Sequence, residues 1–318
     1  MMINNLPKIS VILVTYNRMN YLQRSLESVL NQTFSDFEIV LVNNGSKDNT
    51  AMLCKDYERK DSRIKYIHIS QNNGAAAGRN TALDAVSGSY ITIVDDDDFC
   101  EAGMLEHLWR LVSTYDADIS MCGSWNDYGD RLEPYFIFNE LLQLDKIRGL
   151  DELLKREKYN VAPPTKLFRK RLFEGIRFEI GTLVDDIHVI YKVFANADKI
   201  VAQGTPLYRF TKHENNMTSF IQSNKLSPAL LDEYIQMHKE RIRYLSERVP
   251  EIKDRAIYSQ WSYMISMCDK IKTYHCDDCI EQYHYMTKVL KENFEEFWNL
   301  EYTTEREREL LNKHIMNY

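Results

Sequence analysis

No apolar run in this chain approaches the length of a bilayer span. The N-terminal MMINNLPKIS carries neither the basic nor the apolar region of a signal peptide, so the expectation is a cytoplasmic protein. Positive charge is not in surplus: 40 Lys and Arg face 47 Asp and Glu, a net −7. That balance argues against nucleic acid as a partner, because phosphate binding shows as a basic face. Cysteine is sparse and scattered (Cys54, Cys100, Cys122, Cys268, Cys276, Cys279), with no disulfide framework, and in the cytosol such thiols stay reduced. The one cluster, HCDDC from His275 to Cys279, is a single CxxC where a structural zinc site wants two pairs; it reads as a coincidence in a polar loop. Glycine is absent from VTYNRMNY, the turn after the first apolar run. This argues against the glycine-rich phosphate loop of a nucleotidyltransferase and the GxGxxG of a nicotinamide dehydrogenase.

What remains is a composition ordinary for a globular protein, 44% hydrophobic and 27% charged over 318 residues, enough for one large domain with an appendage. The first 125 residues alternate strand and helix signals. KISVILVTY is a buried-strand run, and FEIVLVNN, IKYIHIS, YITIV and ADISMCGSW read as four further strands. Between them lie helical patterns, MNYLQRSLESVLNQ with Leu22, Leu26, Val29 and Leu30 on one face, then DNTAMLCKDYERK, GAAAGRNTALDAVSG and GMLEHLWRLVSTY. The alternation predicts an α/β fold, a Rossmann-like, mostly parallel central sheet with helices on both faces. Short strands and a helix over 184–196 complete this domain, set at residues 1–225. Residues 226–318 change character: LLDEYIQMHKERIRYLSERV and AIYSQWSYMISMCDKIK predict three or four amphipathic helices whose aromatic stripes belong to a core or an interface. No internal repeat or low-complexity linker interrupts the chain.

Parallel sheets bind ligands outside the carboxyl ends of their strands. That rule selects TYNR after the first strand, NNGSKDNT after the second and DDDD after the fourth. The last is the most demanding, since ITIVDDDDFC ends a buried run in four carboxylates that repel one another. A solvated acidic turn is the plain reading. The sharper one is a hard cation, Mg²⁺ or Mn²⁺, which suits oxygen ligands in an open site and holds them ionised. Alternation along an extended segment would aim Asp95 and Asp97 at one site and turn Asp96 and Asp98 away or into a cap.

ISVILVTYNR, LNQTFSDFEIVLVNNGSKDNT and QNNGAAAGRNTALDAVSGSYITIVDDDDF, in this order and spacing, resemble the family 2 glycosyltransferases of the GT-A fold. The likeness continues more loosely through KLFRKRLFEGIRFEIGTLVDDIHVIYKVF and LYRFTKHENNMTS, and the helical tail carries no family motif. The resemblance implies that Thr15, Tyr16 and Asn17 bind base and ribose, with Asn44 near the base. Most members have an aspartate pair where this chain has Asn43 and Asn44. An asparagine still accepts through its carbonyl oxygen and can donate its amide to a base carbonyl, so uridine stays possible and the case for it weakens. Arg79 in GAAAGRN would bring positive charge near the donor, or serve structure alone. The quartet matches the family's DxD motif, with Asp95 and Asp96 on the donor side and Asp97 as the metal ligand. Asp186 matches the catalytic base of a motif that is usually Glu-Asp; a pair of N-cap aspartates is the alternative for Asp185 and Asp186. His213 would contact diphosphate or metal, or be a solvated loop histidine.

The resemblance implies a metal-dependent inverting transfer of a hexose from a nucleoside-diphosphate sugar, UDP-sugar favoured, to a saccharide or lipid-linked saccharide acceptor in surface polysaccharide synthesis such as that of a bacterial capsule. A sugar-nucleotide-binding scaffold without transfer activity is the non-enzymatic alternative, and a nucleotidyltransferase the other. The tail invites homodimerisation or peripheral docking at the inner face of the cell membrane.

Overall fold

A computed structural model of the chain describes residues 6–214, 216 and 226–316. The chain divides into two compact units, Met1–Lys212 and His213–Tyr318.

The first unit opens with β1 (Ile9–Thr15), α1 (Met19–Leu30), β2 (Phe37–Asn44), α2 (Thr50–Lys60), β3 (Ile64–Ile69), α3 (Ala75–Ala85) and β4 (Tyr90–Asp95). β1 pairs in parallel with β2 on one side and with β4 on the other, and β2 pairs in parallel with β3. Valine, isoleucine and leucine fill these strands because both faces are covered: Val11, Ile12, Leu13, Ile39, Val40 and Leu41 are all fully buried. The chain runs from β1 outward to β3, then returns to lay β4 on the opposite side of β1. The crevice between β1 and β4 is therefore the switch point where such a sheet takes its ligand.

Beyond β4 come β5 (Phe99–Cys100), α4 (Met104–Tyr115), β6 (Ile119–Asp127), β7 (Leu132–Tyr135), β8 (Leu141–Asp145), α5 (Lys146–Lys155), β9 (Lys166–Arg169), α6 (Ile190–Ala195) and β10 (Lys199–Thr211). The sheet runs β3-β2-β1-β4-β9-β6-β10-β5, with β7 beside β6 and β8 beside β10. β9 is inserted antiparallel between β4 and β6, while β6 and β10 are parallel. One helix over 184–196 does not form. A 3₁₀ turn at Asp186–His188 precedes a short α6, and Val189 between them sits at φ −116°. Asp185 makes no cap bond there, because its carboxylate is held by Arg79 instead.

Two glycines fix how the parts pack. A Cβ on Gly78 would meet Val14 Cγ1 at 2.4 Å, so α3 lies directly on β1. Gly45 has φ +77°, and a Cβ there would meet the Asn72 backbone nitrogen at 2.5 Å. The loop after β2 can thus cross the one before α3 only with glycine.

The second unit is helical: α7 (Pro228–Arg248), α8 (Lys253–Thr273), α9 (Ile280–Glu292), α10 (Phe294–Asn299) and α11 (Glu305–Leu311). Pro228 stands at the start of α7, and the Ser227 hydroxyl caps it by accepting from the Leu230 N–H. Thr304 and Glu307 form a reciprocal capping box at α11. The aromatic stripes belong to its core, where Trp261, Tyr283 and Phe297 pack with Met264, Met286 and Leu311. Cys279 is buried in the same core. Among the described residues no group of three His, Cys, Asp or Glu could hold a metal, the HCDDC cluster included.

Candidate active site at the carboxyl ends of β1, β2 and β4

Strand register brings the three selected loops to one edge. Thr15 lies opposite Asn43, and Val14 opposite Asp95. The loops after β1 and β2 are bonded to each other. The Asn17 N–H donates to Ser46 Oγ (3.0 Å), the Lys47 N–H to Asn17 Oδ1 (2.8 Å), and the Arg18 N–H to Thr50 Oγ1 (3.2 Å). Asn17 takes a left-handed conformation to do so, φ 52°, which asparagine tolerates. Tyr16 is half-buried between Thr15 and Asn17.

The two asparagines that replace the family's aspartate pair do different work. Asn43 Oδ1 accepts from the Ser46 N–H at 3.0 Å, which shapes the turn. Asn44 spends both amide hydrogens on the protein, donating to Asn72 Oδ1 (3.1 Å) and to the Gly74 carbonyl (2.8 Å). Its amide is therefore not available to a base carbonyl, as the sequence had allowed. Its Oδ1, also buried, has no partner. A buried acceptor left unmatched costs about 1–3 kcal/mol, so this oxygen is suited to a ligand N–H.

The aspartates are unequal. β4 ends at Asp95 and the chain turns, with the Asp98 N–H donating to the Asp95 carbonyl at 3.2 Å, so strict alternation stops there. Asp98 is structural: its Oδ2 accepts from Tyr208 OH (2.7 Å) and its Oδ1 from the Thr211 N–H (2.8 Å), which ties the turn to β10. Asp96 and Asp97 both come near Arg18, whose Nε is 3.9 Å from Asp96 Oδ1 and whose Nη2 is 3.7 Å from Asp97 Oδ2. Burial pushes the Asp96 carboxyl up to about 7, the charge of Asp97 adds to this, and the Thr15 hydroxyl and Arg18 oppose it. Asp95 is raised too, by burial and by Asp97 and Asp185, against Arg79.

Arg79 connects the turn to the second acidic pair. Its guanidinium donates to Asp95 Oδ1 at 3.1 Å and to Asp185 Oδ1, and lies 5.5 Å from the centre of the Phe178 ring. Asp186 stands beside this bridge without a partner for its buried Oδ1. Burial, followed by the neighbouring Asp185, lifts its carboxyl to about 7, while Arg79 pulls the other way. A carboxyl poised near neutrality with a free oxygen is suited to taking a proton.

His213 opens the second unit, where its backbone N–H donates to Asn216 Oδ1 at 2.6 Å and its Nε2 lies 3.2 Å from Asn216 Nδ2. Asn215 and residues 217–219, the rest of the motif that carried it, lie outside the described residues. Two groups went unnoticed in the sequence. Arg18 stood in TYNR, but nothing local says that it faces the aspartates. Lys166 on β9 is 1% exposed, with Nζ donating to the Ala162 carbonyl at 2.6 Å. Burial lowers its ammonium to about 7, against the pull of Cys122 and Asp186.

The aspartate turn offers one or two carboxylates rather than a full ligand set, which suits Mg²⁺ or Mn²⁺ only where substrate phosphates complete its shell.

Residues 10–177 match the description "Glycosyl transferase family 2". Glycosyltransferase GlyA of Streptococcus pneumoniae serotype 4 is 33% identical over 264 residues, 80% of this chain, and the chain spans 37% of that relative's length. Among solved structures, residues 1–349 of S. aureus TarS, in complex with UDP-GlcNAc, superpose with a TM-score of 0.63 at 20% identity, covering 91% of this chain and 92% of that one. The mannosyltransferase PcManGT from Pyrobaculum calidifontis, in complex with GDP-Man and Mn²⁺, gives a TM-score of 0.59 at 14% identity, covering 98% and 80%. With its GT-A sheet and its match over the strands that build the site, the chain belongs to glycosyl transferase family 2 and is a glycosyltransferase.

Proposed function

We propose that this chain transfers a hexose from a nucleoside-diphosphate sugar, a UDP-sugar in first place, to a saccharide or lipid-linked saccharide acceptor, with inversion and with a divalent cation. The observation that carries this reading is the convergence of three chemistries on one sheet edge. They are an unmatched buried acceptor at Asn44, an aspartate turn at Asp95–Asp97, and a near-neutral carboxyl at Asp186.

Each residue has a task under this reading. Asn44 Oδ1 accepts an N–H from the base, which the N3–H of uracil supplies; a guanine N–H would serve as well. Thr15, Tyr16 and Asn17 line the base and ribose side, and the bonds of Asn17 to the loop after β2 hold that side in shape. Asp95 and Asp96 face the donor. Asp97 would hold Mn²⁺ or Mg²⁺, which when bound offsets charge gathering on the departing diphosphate. Arg79 fixes Asp95 and Asp185 relative to each other, so that Asp186 keeps its place. Asp186 then takes the proton of the acceptor hydroxyl as that oxygen attacks the anomeric carbon from the face opposite the leaving group. His213 is assigned to the diphosphate.

Residues 1–225 form the catalytic domain in this account. The helices of 226–318 serve dimerisation or docking of the acceptor at the inner face of the cell membrane, in surface polysaccharide synthesis. Among the described residues no helix is long and apolar enough to cross a membrane. The test is sugar transfer by Asp97→Ala and by the unaltered protein in excess chelator. Both should lose transfer by a factor of about 10² or more while the fold persists by circular dichroism. Full activity in either would contradict the metal-dependent reading.

A further inference from the structure

Lys166 is buried at the first position of β9, and the backbone is strained to put it there. Thr165, just before it, is 6% exposed and has φ 74°, a left-handed conformation that a β-branched residue rarely takes. Two buried prolines, Pro163 and Pro164, lead into it. Strain of this kind persists where the surrounding structure imposes it, and it gathers at functional sites. Register sets Lys166 opposite Met121 of β6, while the Cys122 N–H donates to the Thr165 carbonyl at 3.0 Å. β9 also runs antiparallel to β4, with Phe168 opposite Ile91. Its first residue therefore lies toward the carboxyl end of β4, where Asp95 stands. The Lys166 side chain is 1% exposed, and among the described residues Nζ has one hydrogen-bond acceptor, the Ala162 carbonyl at 2.6 Å. An ammonium has three hydrogens to place. One carbonyl does not offset its burial, so a nearby opposite charge has to.

That charge is the acidic cluster of the site. Arg79 of α3 faces three carboxylates, Asp95, Asp185 and Asp186, and donates hydrogen bonds to the first two. Asp186 is the third, and its buried Oδ1 has no hydrogen bond. Lys166 lies in the field of Asp186, and Cys122 is the other titratable group that faces the lysine. On the turn of Asp186 itself, Asp185 goes to Arg79, and His188 Nδ1 is 3.8 Å from Glu179. We propose that Lys166 is a positioning residue for the transfer: its ammonium is the second cation of this cluster and keeps Asp186 ionised, ready to take the acceptor's proton. The inference rests on the reading of Asp186 as the base. The support is mutual, because Asp186 in turn holds the ammonium charged against burial. Without Lys166 one guanidinium would serve three carboxylates, and the one it does not bond would take up a proton first.

The experiment follows the Asp186 carboxyl by carbon NMR across the neutral pH range, in the full chain labelled with carbon-13 aspartate. The signal is identified by its loss in Asp186→Asn. The chains compared are the unaltered protein, Lys166→Met and Lys166→Gln, with thermal unfolding as the check on folding. Both variants should raise the titration midpoint of Asp186 by about one pH unit, and lower transfer by about tenfold on the acid side of it. Lys166→Met should fold, because an apolar side chain of similar length suits a buried position and Asp186 can neutralise itself by binding a proton. Lys166→Gln can still donate to Ala162 but carries no charge, so it separates the bond from the charge. An unmoved midpoint in Lys166→Met, a midpoint restored by Lys166→Gln, or loss of folding in both would overturn the inference. The base reading fails separately, and takes the inference with it, if Asp186→Asn keeps the acidic limb of transfer.

Discussion

Asp186 is the base we propose, and its environment makes a directional prediction. Burial and Asp185 lift its carboxyl to about 7, and a base must be ionised to act. Transfer should therefore rise with pH through about 7, as the limiting acidic limb of kcat. Asp186→Asn should lower kcat by about 10²–10⁴-fold with little change in donor KM, and the residual rate should lose that limb. A kcat that stays flat between pH 5 and 9 in the unaltered protein would remove Asp186 as the base. The same raised value has a cost for stability. Over the interval from the ordinary carboxylate value up to about 7, the folded protein binds a proton that the unfolded chain has released. Stability consequently falls as pH rises through it, and Asp186→Asn should flatten that slope. At this scale the sequence exposed the residues that end apolar runs, such as Asp95 and Asn44, since pattern alone fixes their place. It could not show that Asn44 spends its amide on Asn72 and Gly74, or that Asp98 turns to Tyr208, because both partners lie on distant segments.

Among the elements, the half of the sheet from β3 to β4 was legible. β1, β2 and β4 are buried apolar runs rich in β-branched residues, β3 is a half-exposed edge strand, and a helix joins each to the next. The other half was not. β9 is four residues long and antiparallel between two strands far from it in sequence, and a buried lysine stands at its first position. No local pattern specifies that. The expected helix over 184–196 broke at Val189, and Asp185 bonds Arg79 rather than capping the helix. The small-residue run of α3 packs tightly at Gly78, where Val14 of β1 leaves no room for a Cβ. Gly78→Leu should therefore force α3 off the sheet and destabilise the protein by about 1–3 kcal/mol, measured as a fall in the urea midpoint. Donor binding should weaken as well, because Arg79 follows in the same helix. An unchanged midpoint would show that α3 does not pack on β1 at this point.

At the scale of the whole molecule, each unit has a core of its own: aliphatic and two-sided in the sheet, rich in Met and aromatics in the helices. The helical unit's caps and core account for its folding, and its exposed Tyr274, Ile280, Tyr285 and Met316 mark apolar surface left over. If the helices mediate homodimerisation, the full chain should run as a dimer by light scattering at micromolar concentration, whereas a chain ending before residue 226 should run as a monomer. Monomers in both cases would reject the dimer and leave docking as the tail's role.

The central claim is that a nucleoside diphosphate and a divalent cation meet at the ends of β1, β2 and β4. The most direct measurement is a thermal-unfolding panel of UDP, GDP, ADP and CDP and their sugars, each with and without Mn²⁺. The account predicts that UDP and its sugars with Mn²⁺ raise the midpoint most, that omitting Mn²⁺ removes most of the rise, and that Asp97→Ala abolishes it. A midpoint unmoved by every nucleotide in the presence of Mn²⁺ would contradict the account.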